Sequence, residues 1–150
     1  MPAAAILRKY LLAILGLGII GVEAELLLMG HYDGYQQLIP VVLLGVGATV
    51  MAWWLADGKA RSLKTLRAVM VLYLMAGVVG VILHYNGNAA FEVELSPEIG
   101  GVDLIVESLT GATPALAPGA MIQLGLLGLL YTFRHPVLSG SDNKNHQPSE

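Results

Sequence analysis

Five side chains in this sequence combine the types needed for proton, metal or cofactor chemistry: Glu23, His31, His84, Glu92 and Glu94. The two histidines stand 53 residues apart in matching contexts, His-Tyr-Asp-Gly from His31 and His-Tyr-Asn-Gly from His84. Two imidazoles with carboxylates near them offer nitrogen and oxygen donors to a divalent metal. The same pair could be axial ligands to a haem. Glu23 lies in an apolar run with no Lys or Arg after Lys9, and a carboxylate in hydrocarbon is costly enough to mark a ligand or proton-relay position. Residues two apart on a helix diverge by about 200°, so Glu23, Leu27 and His31 share a stripe from which Glu25 is excluded. A plainer role competes for the histidines. A His-Tyr pair at a helix exit places its aromatic ring at headgroup depth and its imidazole over the last carbonyls. His135, before Pro136, has the position of a C-terminal helix cap, and Gln123 is suited to bonding a neighbouring helix across a membrane.

These residues must be positioned by membrane helices. Four long apolar stretches, about 10–29, 38–56, 68–83 and 118–133, each approach the ~20 residues that a helix needs to cross a ~30 Å hydrocarbon layer. Hydrophobic residues make up 55% of the chain and charged residues 13%, about half the charged share of a soluble domain. The expected fold is therefore an all-α integral membrane protein, with residues 1–138 as one four-helix transmembrane domain. Cysteine is absent, which excludes disulfides, thiolate metal sites and cysteine nucleophiles. No lysine-bearing phosphate loop, hydrolase triad or nucleic-acid surface is present.

Charge placement predicts orientation. Arg8 and Lys9 precede the first stretch, Lys59, Arg61, Lys64 and Arg67 fill the second connection, and Arg134 follows the fourth stretch. The other two connections hold no Lys or Arg, and the longer, 86–117, carries Glu92, Glu94, Glu98, Asp103 and Glu107. The positive-inside rule then puts both termini and the basic loop in the cytoplasm of a plasma or inner membrane, with the acidic loop outside. Topology alone accounts for the basic loop, although such loops also attract anionic lipid. Residues 8–24 carry the outline of a cleavable signal, but the apolar run resumes at Leu26, which favours an uncleaved span. The polar tail 139–150 is expected to be disordered.

Arg8 and Arg61 repeat the 53-residue offset of the histidines, so two helical hairpins crossing in the same sense, a parallel repeat, are expected. In the second outer connection, alternation at Phe91–Leu95 predicts an extended segment, and Ser96-Pro97-Glu98 reads as a helix start. Ile99, Val102, Ile105, Val106 and Leu109 then form one stripe of a short amphipathic helix ended by Gly111. The expected function is that of a non-catalytic membrane subunit or interaction protein, a homo-oligomer or part of a larger complex, rather than an enzyme. The alternative is an outer His/Glu site for metal or haem, or a proton-coupled small-solute transporter.

Overall fold

A computed structural model describes residues 3–111 and 113–142, and every regular element among these described residues is a helix. The helices are α1 (Ala3–Leu28), α2 (Tyr35–Asp57), α3 (Ala60–Leu95), α4 (Gly101–Thr110), α5 (Gly119–Thr132) and α6 (Pro136–Asp142). Three of them, α1, α2 and α3, are long and apolar enough to cross a membrane. α5 has 14 residues, a rise of about 21 Å, which is short of the ~30 Å layer. The chain winds into it through consecutive i→i+3 turns, with Ala117 N–H donating to Pro114 O and Gly119 N–H to Leu116 O.

α1 packs on α2 and α5, while α3 packs on α2, α4, α5 and α6. Leu15 and Ile19 of α1, Leu44 of α2, and Leu63, Leu66, Met70 and Tyr73 of α3 form the fully buried centre. Leu17, Ile20, Leu28, Met75 and Val79 are exposed. An apolar surface of that kind would be a liability in water and is the ordinary surface of a bundle in lipid. Glycine allows the closest contacts, since helices in lipid gain by backbone approach. A Cβ on Gly125 would stand 2.7 Å from Met70 O and 2.9 Å from Leu74 N, and one on Gly77 2.8 Å from Ile122 N. A Cβ on Gly47 would overlap the Tyr73 hydroxyl, which donates to Leu44 O across the α2–α3 contact.

At the basic end, Trp54 Nε1 donates to the Tyr131 hydroxyl at 2.6 Å, and both rings pack against His135. Trp54 is thus a buried strut between α2 and α5, whereas Trp53 is exposed, as an interfacial aromatic would be. Arg8 donates to Arg134 O, and Arg134 is a non-glycine residue at positive φ, 46°. There the chain turns to lay α6 against α3. The expected disorder from Ser139 is corrected as far as Asp142, because Pro136 starts a helix at a position where its missing N–H costs nothing. The remainder of that expectation lies outside the described residues. His135 does not cap α5. Its Nδ1 accepts from Val137 N–H in α6, which leaves Nε2 as the protonated nitrogen of the neutral ring.

The connection after His84 also differs from expectation. α3 runs unbroken through Leu95, so Phe91–Leu95 is helix and the loop does not begin at residue 86. Ser96 is the C-cap, its N–H donating to Glu92 O, and Pro97 ends α3 instead of opening α4. Gly100 is the N-cap of α4, and Gly111 ends it as expected. Gln123 is exposed rather than turned to a neighbouring helix.

Candidate functional site

The two histidines of the repeated motif meet. The His31 and His84 rings lie 6.4 Å apart, centroid to centroid, tilted by 41°. On the α1 side, the chain leaves the helix through Gly30 at φ +68°, with His31 N–H donating to Leu26 O and Gly30 N–H to Leu27 O. This pair of bonds is a Schellman ending, which requires the left-handed conformation that glycine adopts without strain. It directs His31 back toward the bundle. Burial, and then the charge of His84, hold the His31 imidazole below the usual histidine range.

His84 is positioned by the segment that precedes α5. Its Nδ1 lies 3.2 Å from Pro114 O. A carbonyl can only accept, so Nδ1 carries the proton and Nε2 keeps its lone pair. One turn further along α3, Asn88 faces the same way, as i and i+4 do. Asn88 is buried and its amide is fully used. Nδ2 donates to Ser108 O at 2.9 Å and Thr113 O at 2.7 Å, and Oδ1 accepts from Thr113 N–H and from the Thr113 hydroxyl. Asn88 thereby fastens the end of α4 to α3. It escaped notice in the sequence, although its spacing of four from His84 was a usable signal.

The carboxylates do not converge on the histidines. Glu92 and Glu94 follow His84 by 8 and 10 residues on the same helix, about 12 and 15 Å farther along its axis. Glu23 lies on α1 below the Gly30 turn, with its Oε2 enclosed and lacking a hydrogen-bond partner among the described residues. Among the described residues, no group of three or more His, Asp or Glu side chains is placed to share a metal ion. The chemistry on view is therefore a histidine pair with one unprotonated nitrogen assigned, and a separate carboxyl deeper in the bundle.

α4 turns its apolar face outward. Ser108 is buried and Leu104 half-buried against α3, while Val102, Ile105, Val106 and Leu109 are exposed. Asp103 and Glu107 are exposed beside them. The apolar stripe read from the sequence is thus turned away from the bundle. Comparison with protein-family models, with curated proteins and with solved structures returned no match.

Proposed function

We propose that the chain is a non-catalytic subunit or interaction protein of a plasma or inner membrane, crossing it four times with both termini in the cytoplasm. Its outer segment, 96–118, is the docking element. The neighbour pattern supports four crossings as two repeated hairpins: α1 with α2, α2 with α3, α3 with α5, and α5 back to α1. The 53-residue offset and the adjacent His31 and His84 rings fit an axis along the membrane normal. The observation that carries the docking reading is the Asn88 network. A connection this long has little need of four internal hydrogen bonds unless its shape matters, and the fixed shape presents the exposed stripe of α4. Pre-ordering such a surface lowers the entropic cost of binding. Size-exclusion chromatography with light scattering, on full-length protein in mild detergent, should show a discrete assembly larger than one chain. Ile105→Ser with Val106→Ser should dissociate it without lowering Tm. A monomer that is unaffected by the double variant would refute the docking reading.

The histidine pair supports a second reading, a site for a divalent transition metal. With metal–nitrogen bonds of ~2 Å and ring nitrogens about 1.15 Å from their centroids, two imidazoles on one tetrahedral ion have centroids roughly 5 Å apart, and about 6.4 Å only when they are trans. The observed 6.4 Å is wider than a tetrahedral pair, so binding zinc requires the rings to close by about 1 Å. The hydrogen bond from His84 Nδ1 is the kind of outer contact that orients a ligating imidazole. Elemental analysis after loading with zinc, before and after His31→Ala and His84→Ala, tests this. Stoichiometric zinc that is lost in both variants is expected, and zinc retained by both would exclude the pair. Haem on the same histidines would instead give an intense visible band, and proton-coupled transport would require Glu23→Gln to abolish a measured flux.

A further inference from the structure

Two open grooves adjoin at the basic end, opposite the segment discussed above. One, of about 250 Å³, is lined by Arg8, Lys9, Leu12, Tyr131 and His135 among others. The second, of about 430 Å³, runs between α1 and α2 beside Ala13, Gly16, Leu17, Met51 and Leu55, and shares Lys9 and Leu12 with the first. The groove exists because positions 13 and 16 carry almost no side chain. Met51 lies over Gly16, its Cε 3.0 Å from where a Gly16 Cβ would be, and forms the floor of the groove. Lys9 to Leu17 spans eight residues, a rise of about 12 Å, so the lining passes from two cations to purely apolar atoms over the upper part of an acyl chain's depth. Arg8 spends one guanidinium N–H on Arg134 O, and a guanidinium has four more. His135 keeps its Nε2–H, because Nδ1 accepts from Val137.

We propose that the adjoining grooves bind one anionic phospholipid, its phosphate on Arg8 and Lys9 with His135 as a further donor, and one acyl chain in the α1–α2 groove. Charge complementarity selects the headgroup. The apolar groove selects a lipid over free phosphate, which would occupy only the first groove. Basic pockets between helices at the cytoplasmic face bind such headgroups, and each surface cation contributes about a fivefold gain in affinity.

The test is native mass spectrometry of the full-length protein titrated with phosphatidylglycerol, phosphatidylcholine or inorganic phosphate. Phosphatidylglycerol should bind at least tenfold more tightly than phosphatidylcholine. Arg8→Gln with Lys9→Gln should weaken it roughly 25-fold and leave phosphatidylcholine unchanged. Ala13→Trp, which fills the groove and keeps both cations, should weaken it severalfold. Lys59→Gln with Lys64→Gln removes the same charge elsewhere and should change it less than twofold. Equal affinity for the two lipids would overturn the proposal, as would equal losses in the two charge variants. Full competition by inorganic phosphate with no effect of Ala13→Trp would replace the lipid with a free anion. Should the Arg8 and Lys9 variant fail to fold, Ala13→Trp decides alone, and unchanged binding there refutes the site.

Discussion

Asn88 shows what a single buried amide does in this protein. Its four hydrogen bonds all reach across to the segment around α4, so removing it unties Thr113 from α3 and leaves the carbonyl of buried Ser108 without this donor. Each buried group left unpaired costs about 1–3 kcal/mol. Asn88→Ala should therefore lower stability by about 2–3 kcal/mol and selectively speed hydrogen exchange in residues 101–110, measured by mass spectrometry. Exchange unchanged there would mean that the segment is held by something else. The histidines give a pH dependence with a definite sign. His31, through burial and then His84, and His135, through burial and then Arg8, are both held below their ordinary value of 6.5. The unfolded chain thus binds more protons between those lowered values and about pH 6.5, so stability is lost as pH falls through that window. Tm should be flat above about pH 7 and drop toward pH 5, and His31→Asn should remove part of the drop. The chemistry-bearing types at positions 23, 31 and 84 were legible in the sequence because membrane carboxylates and repeated histidines stand out. Asn88 was missed: its spacing of four from His84 was the one signal, and its role rests on neighbours that only the fold brings to it.

Among the elements, the α3–α5 contact is set by small residues at a spacing of three, Gly77 with Gly80 and Gly125 with Gly128. A methyl on Gly125 would meet the backbone of α3, which cannot yield as a flexible side chain can. Gly125→Ala should cost about 1–3 kcal/mol, the usual range for overpacking. Gly21→Ala, where nothing lies near the added carbon, serves as the matched control in a thermal melt. Helix propensity alone favours alanine at both positions, so a Gly125→Ala variant no less stable than Gly21→Ala would show that the backbone contact does not govern stability. The apolar spans were legible because their length and composition leave few alternatives. The end of α3 was not. Phe91–Leu95 alternates like a strand, yet five residues at the end of an already nucleated helix extend it more cheaply than they start new structure. Ser96-Pro97 can close one helix or open another, and only the state of the preceding residues decides between the two.

At the scale of the whole molecule, the two ends differ in kind. One gathers Arg8, Lys9, Arg61, Lys64, Arg67 and Arg134, and the other gathers Asp33, Glu92, Glu94, Glu98, Asp103 and Glu107. The proposed orientation follows from that polarity through the positive-inside rule, and both the proposed docking segment and the proposed lipid groove take their leaflets from it. The repeat fits the same scheme, because an arginine-to-histidine distance of 23 residues occurs in each half, a rise of about 34 Å or one bilayer crossing. Absence of native cysteine makes the scheme directly testable. Ser96 and Lys64 are both exposed, so Ser96→Cys and Lys64→Cys each place one reactive thiol at an opposite end. With a membrane-impermeant maleimide on intact cells, Ser96→Cys is predicted to label at once and Lys64→Cys only after permeabilisation. Labelling of Lys64→Cys in intact cells, or failure of Ser96→Cys to label there, would contradict the orientation and the functional readings built on it.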